Sequence, residues 1–319
     1  MTNSTLLWFG VLGVLESVLG SCGNTLTLCY FLTKKTWTVS TLLYLAINIS
    51  DLLICLMMVP VGVANLKNNE GGGWFSDTSF CALWGITWSV SIRMSVYSIG
   101  LLSITRTLSL IRPLRRIPVR HVSNLLGIYL VILILQGLLP FFYKKGYYYS
   151  RKSQMCVWEL AEVYKPLSSE FKIVFFISTV LEFILPALPI IASCFITVMK
   201  LRTSSCAEEP GVNQQSVCKI RATVTVVALT VAYVVFNVPL CIILGQHAMF
   251  LFCGGCFTPV ETYHSLEIFF STHVFALNAI TNVIIYFSRI KDMQQFLINF
   301  RSRTMNLRLT TANLNSELN

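Results

Sequence analysis

Long apolar runs alternate with short polar segments along nearly all of this 319-residue chain. Seven runs stand out: Leu6–Leu32, Thr38–Val63, Phe80–Leu110, Val122–Phe142, Phe171–Leu201, Ile220–Phe252 and Leu266–Phe287. A helix needs about 20 apolar residues to cross the hydrocarbon core of a bilayer, and each run reaches that length. A helix also satisfies its own backbone hydrogen bonds, which lipid cannot do for it. The pattern predicts an all-α fold, a bundle of seven transmembrane helices. After the seventh, Ile290, Met293, Phe296, Leu297 and Phe300 recur at helical spacing over Arg289–Phe300. That spacing predicts a short amphipathic eighth helix lying on the membrane surface. Residues 1–300 thus form one domain, and the polar tail Arg301–Asn319 is expected to be disordered, with Thr304, Thr310, Thr311 and Ser316 open to phosphorylation. Between the fourth and fifth runs, Tyr143–Glu170 carries Tyr147-Tyr148-Tyr149 and suits a β-hairpin.

Composition sharpens this picture. Hydrophobic residues make up 55% of the chain and charged residues only 12%, against about 25% charged in a typical soluble domain. The deficit is what lipid demands, because a charge in hydrocarbon costs several kcal/mol. The net charge of +10 could suggest nucleic acid, but its placement points to the membrane. Lys34, Lys35, Arg112, Arg115, Arg116, Arg120, Lys200, Arg202, Lys219, Arg221, Arg289, Lys291, Arg301, Arg303 and Arg308 all fall in alternate loops or the tail. The other loops hold fewer cations and most of the acids that lie outside the runs, including Glu70, Asp77, Glu159, Glu162, Glu170 and Glu261. Cations concentrate on the cytoplasmic side, so the N-terminus is expected outside and the C-terminus inside. The first run starts almost at Met1 without a basic leader and reads as a retained signal-anchor helix. Asn3-Ser4-Thr5 is a glycosylation sequon on the outer side.

Eleven cysteines follow the same division. Cys22, Cys29, Cys55, Cys194 and Cys241 sit in apolar runs, where small buried thiols are expected. Cys206 and Cys218 face the reducing cytosol, whereas Cys81, Cys156, Cys253 and Cys256 lie outside, where disulfides persist. Cys253-Gly-Gly-Cys256 either closes a tight loop disulfide or stays free. Cys81 and Arg106 lie 25 residues apart in the third run, roughly 37 Å along a helix. Cys81 therefore sits at the outer interface, where it can bond Cys156 and pin the second outer loop over the bundle mouth. Arg106 sits at the inner interface, either as an ordinary interfacial cation or as a contact for an intracellular partner.

A series of marks, in order along the chain, resembles the rhodopsin-family (class A) G-protein-coupled receptors. They are Gly23-Asn24, Ser50-Asp51-Leu52-Leu53, Cys81 with Thr105-Arg106-Thr107 and Pro113, and Phe183-Ile184-Leu185-Pro186. Tyr233-Val234-Val235-Phe236-Asn237-Val238-Pro239 follows, then Asn278 with Asn282-Val283-Ile284-Ile285-Tyr286. The resemblance implies an extracellular ligand, a heterotrimeric G protein, arrestin and receptor kinase as partners, with Arg106, Tyr286 and Pro113 at the G-protein-coupling end. Several positions depart from the pattern. The family's Asp/Glu-Arg-Tyr triplet reads Thr105-Arg106-Thr107, so Arg106 lacks an adjacent carboxylate. Asn237 stands for the sixth-helix Trp, Cys194 for the fifth-helix Tyr and Val283 for the seventh-helix Pro, whose loss weakens the usual kink. The fourth-helix Trp is missing.

Asp51 falls near mid-membrane, where a carboxylate signals function. Ser95, Asn278 and Asn282 reach similar depth, and in the family these positions surround a sodium ion; oxygen ligands suit that hard cation. The alternative is a protonated Asp51 in a hydrogen-bonded core network. Arg93 lies about 18 Å and Glu182 about 16 Å from the outer ends of their helices, which permits a buried salt bridge. Glu16 in the first run has no evident partner. Trp84, Trp88, Met94, Tyr233, Asn237, Gln246, Glu267, His273 and Ala276 lie where they can line an outward-opening ligand pocket. Trp88 holds the position at which amine receptors carry Asp, and Ala276 the position of the retinal lysine, so neither a monoamine nor retinal is expected. Lys144, Lys145, Arg151 and Lys152 make the vestibule basic and favour an acidic molecule or peptide. A decoy receptor that does not signal, or an ion-coupled transporter using Asp51, Arg93 and Glu182, is the competing reading. The four histidines do not cluster and no catalytic triad or metal-protease motif is present, which argues against an enzyme.

Overall fold

The computed structural model describes residues 3–66, 78–112, 117–142, 147–150, 155–158, 185–205, 223–237 and 261–299. Its helices are α1 (Asn3–Leu32), α2 (Val39–Leu66), α3 (Thr78–Ile111), α4 (Val119–Phe142), α5 (Leu185–Ser205), α6 (Thr223–Asn237), α7 (Glu261–Arg289) and α8 (Lys291–Asn299). Between α4 and α5, β1 (Tyr147–Ser150) and β2 (Met155–Trp158) form an antiparallel hairpin with Tyr149 opposite Cys156. The hairpin expected from the tyrosine-rich loop is therefore present. Glu182, Gln246, Pro113, Cys253, Cys256, Phe300 and the tail 301–319 lie outside the described residues, as does the side chain of Glu267.

Four described segments are long and apolar enough to cross a membrane: Leu7–Leu32, Val39–Leu66, Ser79–Ile111 and Val119–Leu138. Their outer faces are greasy. Leu15, Leu19, Ile128, Val131 and Leu135 are all exposed, as lipid permits and water does not. Polar side chains turn inward or bond their own helix: Asn24 Nδ2 donates to Gly20 O, and Asn48 Nδ2 to Tyr44 O. Two cysteines correct the sequence expectation. Cys22 and Cys29 face outward from α1 rather than into the core, while Cys55 is buried. Lipid accepts a thiol as readily as the interior does, so their hydropathy did not report their facing.

The core joins Ile47 and Ile54 of α2, Ile99 and Leu102 of α3, Ile190 of α5, Leu229 of α6 and Tyr286 of α7. α1 and α2 approach closely enough that a Cβ on Gly62 would stand 2.9 Å from the Val14 backbone nitrogen. α7 runs unbroken through Val283, where the family pattern has proline. It stops at Arg289, and α8 leaves at 90° across a break at Ile290. Gln294 Nε2 caps the end of α7 by donating to Phe287 O and Ser288 O, carbonyls that the helix itself leaves open. α8 is tied back to α1 by Tyr30 against Phe296 and by Lys34 Nζ, 2.8 Å from Asp292 Oδ2. Partial burial alone lowers the Lys34 ammonium; its hydrogen bonds to Asp292 and Tyr30 outweigh that and hold it above its ordinary pKa.

Candidate functional site

The chain positions its chemistry at four levels along the bundle, from the hairpin end to the Arg106 end. At the hairpin end, Cys81 of α3 is disulfide-bonded to Cys156 of β2. Both are buried in a small cluster with Val61 and Trp84, beside Trp88. Trp84 Nε1 donates to Met57 O at 2.8 Å, and its ring stacks on Trp88 at 5.3 Å. Trp84 is thus committed to packing α2 against α3. Tyr233 and Asn237 are buried on α6, where Asn237 Nδ2 donates to Tyr233 O and Asn237 Oδ1 has no partner. Ala276 is buried on α7. Arg93 Nη1 lies 3.4 Å from Gln136 Oε1 on α4, a polar partner the sequence reading did not name.

His273 departs from its expected place. It is buried against α1, with Nδ1 2.6 Å from Glu16 Oε2 and its ring stacked on Phe9. Glu16, for which the sequence suggested no partner, therefore has one. The two residues are 257 positions apart; their approach is set by the rotation of α1 and α7, which spacing along one helix does not specify.

The next level centres on Asp51, fully buried on α2. Ser95 Oγ of α3 donates to Asp51 Oδ1 at 2.9 Å, and Asn282 Nδ2 of α7 donates to Oδ2 at 2.8 Å. Asn282 Oδ1 and Asn278 Oδ1 are buried with no hydrogen-bond partner. Of the four expected residues, three are joined directly, and Asn278 stands one helical turn before Asn282 on α7. A carboxylate, a hydroxyl and two open amide oxygens form an oxygen-rich donor set, which fits a hard monovalent cation such as sodium.

At the far end, Arg106 stands beside the Tyr44 phenol of α2. Its Nε has no partner, and no described carboxylate pairs with it. Tyr286 is fully buried and meets Tyr44 at 5.3 Å and Phe31 at 6.1 Å, both edge-on. In place of an acid, hydroxyls hold α3 to its neighbours. Thr230 Oγ1 donates to Val226 O of its own helix, so Ser103 Oγ donates to Thr230 Oγ1 at 2.9 Å. Thr107 Oγ1 reaches Ser193 O and Thr197 Oγ1 of α5 at 3.2 and 3.0 Å. The sequence reading noted Thr107 only as a departure; four hydroxyls on otherwise apolar helices were the signal that this seam existed. Thr230→Val keeps the shape and removes the acceptor, which leaves the Ser103 hydroxyl buried and unmet at about 1 kcal/mol. Adding Ser103→Ala should return part of that loss, because hydroxyl pairs between membrane helices couple by about 0.6 kcal/mol on average. A double-mutant cycle on melting temperature that gives strictly additive losses would refute the pair.

A helical membrane bundle with a disulfide-pinned hairpin at one end and, at the other, an arginine without a described acidic partner points to a receptor of the seven-helix class. The model of the family described as 7 transmembrane receptor (rhodopsin family) matches residues 23–286, and the chain belongs to that family. It is thus a multi-pass membrane receptor and not an enzyme. The crystal structure of squid rhodopsin is similar over 97% of this chain and 88% of that one, with a TM-score of 0.73 at 16% identity, a likeness of fold. Neuropeptide Y receptor type 6 of Oryctolagus cuniculus is 27% identical over 99 residues, which is 30% of this chain and 26% of that relative. The matched stretch thus spans about a quarter of the relative's length.

Proposed function

We propose that this protein is a plasma-membrane receptor, with its N-terminus outside, that couples an extracellular ligand to a heterotrimeric G protein. The observation that carries the reading is Arg106, a cation without a described acidic partner, set at the end of α3 opposite the Cys81 disulfide. Ligand would favour an arrangement in which α6 moves away from α3 and opens Arg106 to the G protein. The ligand class we assign is a peptide or small acidic molecule. The hairpin is flanked in sequence by Lys144, Lys145, Arg151 and Lys152, and the one curated relative above is by name a receptor for a neuropeptide. Trp88 offers an amine no counter-charge. In the resting arrangement Asp51, Ser95, Asn278 and Asn282 would hold sodium, which supplies the positive charge that the carboxylate otherwise lacks.

Arg106→Ala should abolish ligand-stimulated nucleotide exchange, at least tenfold, while leaving surface expression as in the wild type. Unchanged exchange would reject the role of Arg106. If the wild type itself drives no exchange with any ligand, including at baseline, the decoy reading takes over, which the missing acid at Thr105 favours.

A further inference from the structure

We propose that Ser103 and Thr230 latch α3 to α6 in the resting receptor, and that this uncharged hydrogen bond sets how often the receptor opens without ligand. Its signalling consequence rests on the coupling proposed above; the tie between the helices does not.

The bond lies where opening has to begin. Ser103 stands one helical turn from Arg106 on α3, toward the Cys81 end. Its Oγ donates to Thr230 Oγ1 at 2.9 Å, and the two residues are only 3% and 1% exposed. Beside Thr230, Leu229 packs into the core that holds Ile99 and Leu102 of α3. α6 carries no charged side chain over Thr223–Asn237, so no ion pair can join it to α3 along that stretch. Arg106 stands beside Tyr44 of α2 instead. The polar tie between the two helices is therefore neutral.

The α5 side of α3 is built differently. Thr107 Oγ1 lies 3.2 Å from Ser193 O and 3.0 Å from Thr197 Oγ1. It also lies 3.0 Å from Ser103 O of its own helix. It gives its one proton to a carbonyl and accepts from Thr197. That contact draws on the main chain of α5 as well as a side chain, which suits a fixed seam. The Ser103–Thr230 bond suits one that opens. Thr230 Oγ1 donates to Val226 O within α6 and keeps that bond wherever α6 goes. Separation thus breaks a single hydrogen bond between these two residues. The Ser103 hydroxyl then faces the cleft opening toward Arg106, where water replaces the lost acceptor. No buried charge is stranded, as it would be if a carboxylate were drawn away from an arginine. A hydroxyl pair between membrane helices shifts an equilibrium about threefold on average. The latch therefore biases the resting state lightly and releases without a large barrier.

The test uses the full-length receptor in lipid nanodiscs with a purified heterotrimeric G protein and no ligand. Nucleotide exchange per folded receptor should rise about threefold in Thr230→Val and in Ser103→Ala. It should rise no further in the double variant, because all three remove one bond. Thr230→Ser keeps the acceptor and should return exchange to the wild-type level. Thr281→Val, which removes a hydroxyl bonded to Leu277 O of its own helix, should change nothing. A merely structural bond would lower the melting temperature of the latch variants and leave exchange per folded receptor alone, and that result would overturn the proposal. A second measurement needs no G protein. Val226→Cys places a thiol at a site 4% exposed, one turn from Thr230, where a water-soluble thiol reagent reaches it only when α6 separates. Its modification, mapped by peptide, should quicken about threefold when Thr230→Val is added and slow again with Thr230→Ser. Modification at the same rate in all three would sink the latch. Should Thr230→Val fail to fold, Ser103→Ala carries both measurements. Faster modification with no exchange in any form of the receptor, wild type included, would reject the coupling and leave the latch standing, so the two fail separately.

Discussion

Cys81→Ser should remove most of the receptor from the cell surface and lower the melting temperature of what remains. The bond it breaks links positions 75 residues apart, from α3 across α4 to β2. In the chain-entropy model a loop of that size is worth about 4 kcal/mol. Much of that loop consists of α3 and α4, which the membrane already holds in the unbonded chain, so about 2–4 kcal/mol is the better expectation. The burial around it adds to the effect. Cys81 and Cys156 pack with Val61, Trp84 and Trp88, so reduction releases β2 from a closed apolar cluster as well as from a covalent tie. Cys156→Ser should match Cys81→Ser, and the double variant should be no worse than either, because all three remove one bond. Additive losses, measured by surface labelling and thermal melting, would show that the two cysteines act separately.

The fold was legible because lipid imposes a single rule on long stretches of chain. Each crossing must be apolar for about 20 residues, and that rule needs no knowledge of which helix touches which. The hairpin was legible for a local reason as well, since β-formers between turn signals pair with their nearest neighbour. Depth was legible too: three helical turns outward from Arg106 bring Ser95 to the level of Asp51, which it meets, and Asn282 meets Asp51 at the same level. Rotation was not. A helix that is apolar on every side has little periodicity to show which face turns inward, so Cys22 and Cys29, expected inside, face outward. The same loss hid Glu16 from His273, and left Ser103 and Thr230 as unremarkable hydroxyls. Polar residues in such helices carry the missing information. Each must find an internal partner, and the ones without a local carbonyl to bond mark the inward face.

Gly62 shows what that inward face demands. Gly62→Val should cost about 1–3 kcal/mol, the range for forcing bulk into a filled contact, and strip most folded receptor from the membrane. A Cβ at Gly62 would meet the Val14 nitrogen at 2.9 Å and Gly10 O at 3.1 Å, both backbone atoms that no rotamer change can move. A Cβ at Gly10 would meet the Leu66 nitrogen at 2.8 Å from the other side. Neither helix can yield alone, so α1 must back away from α2 along this stretch. Membrane helices gain little from burying apolar surface, which lipid also covers, and rely on close packing of this kind. Gly127→Val supplies the control, since nothing lies within 4 Å of a Cβ built there on α4. The same chemical change should leave expression and melting near the wild type, because its added methyls reach only lipid. Equal losses at both positions would place the cost in the backbone of any helix carrying valine for glycine, and the close approach of α1 to α2 would no longer explain it.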